Sequence, residues 1–535
     1  MHQRYVMTGL TTTALVTVAG LVGTMSLAPP AAAAASHEAV PRTTARCTSG
    51  VPGDVNGDGY AEVAVGEPGN AKKRGAVHVF YGQRRGLVTN ATGSARNDQY
   101  ITQDTRGVPG KAEAGDAFGT SALLADFNGD GCADLAVGSP GENHKTGWVQ
   151  VFFGSPTGLK MTGTQSFTLS QIPGSPGSAR DQELGYELTA GDVDGDGIDD
   201  LVAGIPELHV GGQDAAGGVA VVYGGSSGLQ LKRSVMLTQD TPGIPGKSAE
   251  YASFGAAVVT GDFDGDGATE LAIGATNGST GGTVQTVKRT ANGFTGSEPI
   301  SPHSAGMPGQ ADRFCAFGFV LASGDVQGDG RDDLAVGDPS FGCRDEETEW
   351  GMGAVVLLPG SSDGLTTSGS QLWTQDSPGV AGTARLGHVF GEALAMAPLD
   401  RRPGADLLIG APGDADGGSV TLLLGGPNGL STEGVGGTRY TQATKGIPGT
   451  PESGDDFGEV LTTGYIQSRT QATTVIGVPD EAVGKVRSAG AITELPIGAS
   501  GPDPSKAKTY TANSAGVQGK VGTDERFGGG PRHWG

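Results

Sequence analysis

The feature that most constrains the fold of this chain is a Phe-Gly dipeptide, or a close equivalent, that recurs seven times. The dipeptides are Phe118-Gly119, Leu184-Gly185, Phe254-Gly255, Phe317-Gly318, Phe390-Gly391, Phe457-Gly458 and Phe527-Gly528. Twenty residues after the first residue of six of them stands a glycine that ends a short apolar run. These paired glycines are Gly138, Gly204, Gly274, Gly337, Gly410 and Gly477, with Gly66 left over as a seventh. Their spacing of about 63 to 73 residues exceeds that of helical solenoid repeats and suits a propeller blade with its loops.

The two ends of the repeat are incomplete in complementary ways. Gly66 has no Phe-Gly twenty residues before it, at Arg46, while Phe527-Gly528 has no paired glycine because the chain ends first. The last dipeptide can therefore complete the first unit. This predicts a ring that the C-terminal segment closes.

Each unit is predicted to contain four short antiparallel strands. Phe118-Gly119 leads into a strand that ends at Ala125, and a polar loop separates this strand from the apolar run 134–138. That loop is too short for a crossover connection, so the two segments form a hairpin. A third strand, 148–153, and a fourth strand follow before the next unit. Because no sustained helical periodicity follows Ser36, we expect an all-β, seven-bladed β-propeller of four-stranded antiparallel blades.

The N-terminal segment is predicted to be a secretory signal. Residues 1–35 have a basic start, an uncharged apolar stretch and an Ala-rich end, and residues 36–46 are a short linker before a propeller at 47–535. No other stretch approaches the roughly 20 apolar residues of a membrane span. The formal charge of −23 argues against nucleic-acid binding. We therefore expect a secreted, extracellular monomer whose partner is an extracellular protein or glycan.

Five of the seven units carry a carboxylate-rich loop of fixed length between the first and second strands. Oxygen donors stand at loop positions 1, 3, 5 and 9, and glycines at positions 4 and 6 turn the position 7 carbonyl inward. Such hard oxygen ligands select calcium over zinc or magnesium, so we predict about five Ca²⁺ ions. The predicted ligands, in five loops, are Asp54, Asn56, Asp58, Tyr60 and Glu62; Asp126, Asn128, Asp130, Cys132 and Asp134; Asp192, Asp194, Asp196, Ile198 and Asp200; Asp262, Asp264, Asp266, Ala268 and Glu270; and Asp325, Gln327, Asp329, Arg331 and Asp333. The alternative is that these loops are solvated acidic turns.

The sixth and seventh units depart from this pattern and are predicted to bind no metal. Position 1 is Pro398 in the sixth unit and Tyr465 in the seventh. Both units have an arginine at position 5, Arg402 and Arg469, whose cation could replace the bridging role of an ion. A chance occurrence explains these arginines equally well.

The Phe-Gly dipeptides, the Asp-x-Asp-Gly-Asp-Gly loops and the Gly410-Ala411-Pro412 triplet together resemble the FG-GAP repeats of the integrin α-subunit β-propeller. The resemblance spans residues 46 to 535, with local departures at Leu184 and at Ala275-Thr276. It implies that the calcium loops share one face and brace the blades, while ligands bind the opposite face.

The same resemblance bears on the four cysteines, for which three pairings are open. It implies that Cys315 and Cys343 lie on the same rim, in loops of the ligand face, and can form a disulfide. Cys47 and Cys132 would then remain as the second pair. This second pairing is less well supported, because Cys132 stands at position 7 of a calcium loop, nominally on the other face.

The function that we expect is non-catalytic adhesion or ligand binding. The longest insertion, 338–353, carries Trp350 among charged residues, which suits a contact site and equally a tolerated surface loop. One alternative is a secreted hydrolase related to glycosylphosphatidylinositol-specific phospholipase D, which has the same repeats. Its only hint is four histidines on ligand-face loops, His144, His209, His303 and His388. A glycan-binding, lectin-like propeller is the other alternative.

Overall fold

The structure, a computed structural model, describes residues 47, 50–69, 73–87, 98–177, 180–276, 281–343, 351–400, 402–415, 417–498 and 501–530. Residues 45–535 form one compact unit. The predicted signal and linker, residues 1–46, lie outside the described residues, as do residues 344–350 of the longest insertion.

The chain folds into seven antiparallel sheets that follow one another along the sequence and form the predicted seven-bladed propeller. Blades 1 to 3 contain β1 (Val63–Gly66), β2 (Val77–Phe80) and β3 (Gln99–Ile101); β4 (Ala122–Ala125), β5 (Asp134–Ser139), β6 (Trp148–Phe152) and β7 (Gln165–Phe167); and β8 (Glu187–Gly191), β9 (Asp200–Ile205), β10 (Gly218–Val222) and β11 (Val235–Leu237). Blades 4 and 5 contain β12 (Phe254–Gly261), β13 (Glu270–Ala275), β14 (Thr283–Thr290) and β15 (Gly293–Gly296); and β16 (Val320–Gly324), β17 (Asp333–Asp338), β18 (Ala354–Leu358) and β19 (Gln371–Trp373). Blades 6 and 7 contain β20 (Ala393–Ala397), β21 (Asp406–Ala411), β22 (Ser419–Leu423) and β23 (Arg439–Tyr440); and β24 (Leu461–Gly464), β25 (Thr473–Val478), β26 (Ala491–Gly498), β27 (Gly501–Pro502) and β28 (Lys508–Tyr510).

In blades 2 to 6 the strands pair in sequence order, so each of these blades is a meander. In blade 2, for example, Ala122 pairs with Val137, and Ser139 pairs with Trp148. In blade 7 both β27 and β28 pair with β26, so β28 is the fourth strand and β27 forms a short hairpin with the end of β26. In blade 1 the described residues supply three strands. By the spacing of the other units, its first strand would follow Phe527-Gly528, beyond the described residues.

Helical structure in the described residues is limited to short turns. They are a four-residue turn at Glu142–Lys145 and the 3₁₀ turns Leu169–Gln171, Leu231–Arg233, Ala311–Arg313 and Pro504–Lys506. Across the described residues, no helix has the length and apolar character that a membrane crossing needs.

The blades are joined into a ring by their first strands and by apolar cores between neighbouring blades. β8 contacts β4 and β12, and the same contact continues from β12 through β16 and β20 to β24. The described residues form seven apolar clusters, one for each pair of neighbouring blades. The seventh cluster joins blade 7 to blade 1 through residues such as Ile492 and Phe80. The ring is therefore closed.

The repeat that dominates the sequence is explained by contacts between neighbouring units. The aromatic or leucine side chain of each dipeptide is fully or almost fully buried. The Gly119 N–H donates to the Gly138 carbonyl of its own blade, at 2.9 Å, while Phe118 forms a parallel bridge with Gly75 of the blade before. A Cβ on Gly138 would in turn overlap the carbonyl oxygen of Gly185, in the next dipeptide. Only glycine fits this close approach of backbones, which is why it recurs.

The C-terminal dipeptide makes the same contacts with the first blade. The Gly528 N–H donates to the Gly66 carbonyl at 3.0 Å, and Phe527 is fully buried. Its ring meets those of Phe80 and His78 at centroid distances of 6.0 and 5.0 Å. The predicted closure by the C-terminal segment is confirmed.

The seam between blades 7 and 1 also carries polar contacts. Arg526 forms ion pairs with Glu459 and Asp480, and its side chain is only 9% exposed. The Gln518 side-chain amide donates to the Asp98 carbonyl at 2.7 Å. These contacts tie residues that are far apart in the sequence.

Both disulfides connect the predicted cysteines, Cys47 with Cys132 and Cys315 with Cys343. The Cys47–Cys132 bond, which the sequence supported only weakly, forms because Cys47 lies beside the loops of blades 1 and 2. A Cβ on Gly57 would contact the Cys47 side chain, and a Cβ on Gly131 would contact the Cys47 carbonyl. The disulfide thus ties the start of the propeller to the second loop.

Candidate metal centres

The five carboxylate loops begin with a carboxylate that organises the backbone around it. In the fourth loop, Asp262 accepts the N–H groups of Gly265 at 2.8 Å and of Gly267 at 2.9 Å. The two glycines have φ values of +74° and +84°, in the left-handed region that favours glycine. Position 1 therefore folds the loop so that the other donors converge.

Position 9 connects each loop to the third strand of its blade. Asp200 accepts the Val193 N–H at 2.9 Å and, through its other oxygen, the Gly224 N–H at 2.8 Å. In the sixth unit Asp406 makes the equivalent bonds, with Leu399 at 2.8 Å and with Gly425 at 2.9 Å. Position 9 therefore has a structural role even in a loop that lacks a position 1 ligand. Burial raises the pKa of Asp200 to about 7 and that of Asp406 to about 6.

Neighbouring loops form a chain of hydrogen bonds, which places them side by side. The position 8 N–H of one loop donates to the position 1 carbonyl of the loop before it, as from Ala133 to Asp54 at 2.9 Å and from Ala405 to Asp325 at 2.7 Å. Asp199, also at position 8, adds a side-chain contact to the Asp126 N–H at 3.0 Å. The sequence analysis did not identify position 8, whose side chain varies between the loops.

In three loops the carboxylates come together as a metal site requires. In each of these loops, three or four carboxylates place one oxygen each within 4.8 Å of the others. The sets are Asp54, Asp58 and Glu62 in the first loop; Asp192, Asp194 and Asp200 in the third; and Asp262, Asp264, Asp266 and Glu270 in the fourth. Asp196 is outside the set of its loop and accepts the Ile198 N–H at 3.0 Å. The described carboxylates of the second and fifth loops form no such set.

An amide stands at position 3 of the first, second and fifth loops. In the second loop the Asn128 side-chain amide donates to both oxygens of Asp134, at 3.0 and 3.1 Å. The Gln327 amide can donate to Asp333 in the same way in the fifth loop. The amide therefore donates hydrogen bonds to position 9 carboxylate oxygens that a metal ion would otherwise contact. Asn56 also donates to Glu62, at 3.0 Å, yet its loop keeps its three carboxylates together.

The residues of the third loop fit a calcium ion on an observation of their own. The Asp194 side chain is 5% exposed, and its Oδ1 is buried without a hydrogen-bond partner. Its other oxygen pairs with the Arg233 guanidinium at 2.9 Å. A buried acceptor without a partner is costly, and Asp194 belongs to a cluster whose other members are also carboxylates. A hard cation would satisfy it.

The fourth loop already contains a cationic group. The Lys288 ammonium lies 2.7 Å from Asp264, 2.5 Å from Asp266 and 3.0 Å from Glu270. Burial opposes the charge of Lys288, but hydrogen bonds to the three carboxylates outweigh it and raise its pKa. The loop thus accepts a cation among its predicted ligands.

The arginines of the sixth and seventh loops make different contacts. Arg402 pairs with Asp400 of its own loop, Nε to Oδ2 at 2.6 Å, as an internal substitute for an ion would. Arg469 reaches instead to the first loop, where its Nη2 donates to the Asp58 carbonyl at 2.7 Å. Arg402 therefore bridges groups within its own loop, whereas Arg469 bridges the seventh and first loops.

A fourth carboxylate cluster was missed by the sequence analysis and lies at the seam. Asp456, Glu459 and Asp480 place oxygens within 4.8 Å of one another, and Arg526 forms ion pairs with the last two. Burial and the neighbouring Glu459 and Asp480 raise the pKa of Asp456 to about 8. Asp456 and Arg526 each precede a Phe-Gly, which is the only sequence signal of their position.

The histidines on the opposite loops do not converge on the described carboxylate clusters. His388 is buried, lies 2.8 Å from the Gln375 side chain and has a lowered pKa, mainly because of burial. His209 lies 3.7 Å from Asp214.

Comparison with known proteins agrees with the repeat. The family model described as FG-GAP repeat matches residues 48–80, 118–152 and 254–287. Phosphatidylinositol-glycan-specific phospholipase D of Bos taurus is 37% identical over 180 residues, which are 32% of this chain and 20% of that protein. Integrin alpha-5 of Xenopus laevis is 29% identical over 228 residues, 41% of this chain and 20% of the integrin. Integrin alpha-PS2 of Drosophila melanogaster is 26% identical over 324 residues, 54% of this chain and 21% of the integrin. The matches therefore span about a fifth of each relative.

Proposed function

We propose that this β-propeller, which carries FG-GAP repeats, is a secreted, non-catalytic module that binds an extracellular protein or glycan and is stabilised by calcium in its five carboxylate loops. The observation that supports calcium most directly is the buried, unpartnered Oδ1 of Asp194 within a cluster of three carboxylates. Carboxylates and inward-turned carbonyls are the ligands that calcium prefers. When bound, the ion supplies a positive charge that cross-links the loop. It has no part in a reaction.

The protein residues prepare these sites before an ion arrives. Position 1 folds the loop, position 9 fixes it to the third strand, and the remaining oxygens are left for the metal. Because burial raises the pKa of Asp200 to about 7, ionised carboxylates of the metal-free loop destabilise the folded state near neutral pH. A bound cation removes this penalty.

The ligand would bind the face opposite the calcium loops. Tyr251 and Leu386 are the exposed large hydrophobic residues of the described chain, at 57% and 43% exposure. They lie in the loops that lead into Phe254 and Phe390, at the other end of the first strands from the carboxylate loops. Exposed aromatic and aliphatic side chains on loops of a rigid scaffold suit a contact surface. The similarity to integrin alpha subunits supports an adhesion module, and the similarity to phosphatidylinositol-glycan-specific phospholipase D makes an enzyme the alternative to be tested.

A binding screen tests the proposed module. The full chain would be applied to arrays of glycans and extracellular matrix proteins with millimolar calcium and with EDTA. We expect one class of ligand to bind with calcium and to be lost when Tyr251→Ser and Leu386→Ser are combined. Hydrolysis of phosphatidylinositol-glycan anchors in place of binding would contradict the proposal and favour an enzyme.

Loss of one calcium ion is expected when Asp194 is replaced by Leu, because this change removes both side-chain oxygens at position 3 while keeping about the same side-chain size. Calorimetric titration should count five ions in the wild-type protein at saturating calcium and four in Asp194→Leu. The free energy of unfolding at millimolar calcium should fall by about 0.4 to 1.4 kcal/mol, the linkage value for a site of 10⁻⁴ to 10⁻³ M affinity.

The matched control is Asp400→Leu, at the same position of the sixth loop. There Pro398 supplies no ligand and Arg402 already pairs with Asp400, so the ion count should stay at five. Five tightly bound ions in Asp194→Leu would show that the ligands are misassigned. A wild-type count near seven would show that the sixth and seventh loops also bind metal.

A further inference from the structure

The third strand of blade 4 differs from those of its neighbours. In blades 2, 3, 5 and 6 this strand is followed by a glycine whose N–H donates to the position 9 carboxylate, the donors being Gly154, Gly224, Gly360 and Gly425, at 2.8 to 2.9 Å. In blade 4 the strand β14 instead continues to Thr290 and forms a hairpin with β15. No glycine N–H takes up the second oxygen of Glu270.

Lys288 takes the place of that missing donor. It stands directly opposite Glu270 in the sheet register and lies 3.0 Å from Glu270 Oε1. The same ammonium lies 2.7 Å from Asp264 and 2.5 Å from Asp266. One cation therefore contacts loop positions 3, 5 and 9 at once, and those are three of the predicted calcium ligands.

We propose that Lys288 is a built-in competitor of calcium in the fourth loop, so that this site fills at a higher calcium concentration than the third. The inference rests on the proposed calcium binding of these loops. The ammonium and the ion cannot share the same three oxygens, so calcium must displace Lys288. The Lys288 side chain is 24% exposed, which leaves it a path to solvent when it is displaced.

The third loop is the internal comparison. It also has carboxylates at positions 1, 3, 5 and 9, but the residue before its third-strand glycine is Tyr223, where blade 4 has Lys288. Its nearby cation, Arg233, is half exposed and forms its ion pair with one loop carboxylate, Asp194, while its other contacts are with Gln230 and the Tyr223 ring. Both loops therefore have carboxylates at positions 1, 3, 5 and 9, of which three converge in the third loop and four in the fourth. The cation that calcium must displace is a lysine bound to three of them in the fourth loop and an arginine bound to one in the third.

In the metal-free protein Lys288 should stabilise the fold. Ionised carboxylates crowded in one loop repel one another, and an ammonium among them lowers that repulsion. At saturating calcium the same lysine should be unfavourable, because the ion supplies the positive charge and the lysine only competes. The effect of removing Lys288 should thus change sign with calcium.

The test is Lys288→Met, with Lys145→Met as the matched control. Lys145 forms one exposed ion pair, with Glu183 at 2.7 Å, away from the carboxylate loops, so both variants change the net charge equally. In calorimetric titration of the full chain, one calcium site should tighten by about 5- to 50-fold in Lys288→Met, as the loss of three partly exposed ion pairs suggests. It should be unchanged in Lys145→Met.

Thermal melting supplies the second readout. Lys288→Met should melt below the wild-type protein in EDTA and above it in millimolar calcium. If this variant does not fold in EDTA, Lys288→Gln, which keeps a polar end, is measured in the same two conditions. An unchanged isotherm, or equal destabilisation in both conditions, overturns the inference while the proposed calcium binding stands. If the wild-type protein and the variant both bind no calcium, the proposed function fails as well.

Discussion

Deletion of residues 523–535 should open the ring and leave a chain that is largely unfolded at ambient temperature. The deleted segment includes Phe527, which is fully buried between blades 7 and 1. Loss of such a side chain costs about 3 to 5 kcal/mol. It also includes Gly528, whose N–H bonds to Gly66.

The deletion removes Arg526 as well and leaves Glu459 and Asp480 without their cation. Removing one partner of a buried ion pair costs about 3 to 5 kcal/mol. The two losses together, about 6 to 10 kcal/mol, are comparable with the whole stability of a typical domain. Thermal melting and size-exclusion chromatography measure the result.

The control is a pair of point variants in the full chain, Phe527→Ala and Phe457→Ala. Phe457 has the equivalent buried position between blades 6 and 7, where the chain is continuous. If the ring is closed in solution, both variants should lose similar stability. Closure would be contradicted by a deletion protein that melts and elutes like the full chain. It would also be contradicted if Phe527→Ala were as stable as the wild-type protein while Phe457→Ala was destabilised.

Removal of calcium by EDTA should lower the free energy of unfolding by about 2 to 7 kcal/mol at millimolar calcium. This range follows from five sites with affinities of roughly 10⁻⁴ to 10⁻³ M, since each ion binds the native loops and hardly binds the unfolded chain. Chemical denaturation with calcium and with EDTA measures the difference, and excess magnesium without calcium is the control. A melting temperature indifferent to EDTA would contradict calcium bracing.

The metal-free protein should regain part of this stability as the pH falls from about 7.5 to 5.5. Burial raises the pKa of Asp200 to about 7 and that of Asp333 to about 6, both above the unfolded value near 4. A carboxyl group with a raised folded pKa loses stability as the pH rises through that pKa, so protonation restores it. With calcium bound, the carboxylates stay ionised and the same pH change should have a smaller effect.

The architecture was predictable because its signals recur at fixed offsets. Phe118 and Gly138 each repeat in nearly every unit, and strand alternation with short loops leaves few folds other than a propeller. Ring closure followed from the unmatched Gly66 and Phe527. The convergence of carboxylates in the first, third and fourth loops also followed from their spacing, while calcium binding by all five loops stays a prediction.

The parts that were missed depend on side chains that meet from distant segments. In the sequence, Lys288 looks like an ordinary solvent-facing lysine of a strand. Its role depends on the strand register, which places it opposite Glu270. Arg526 and Asp480 belong to different units, and no spacing rule joins them. The absence of Asp196 from its cluster depends on the direction of one side chain, which a motif does not specify.

The polar contacts at the seam have a consequence for how the protein is made. Gln518 and Asp98 meet across 420 residues of sequence, so that contact forms only after almost the whole chain has left the ribosome. Blade 1 therefore lacks its contacts with the C-terminal segment while the other blades fold in turn. Surfaces and strand edges that stay exposed in this interval invite pairing with other chains. Ring closure should be the last and slowest folding step, and the incomplete ring should be the species that aggregates.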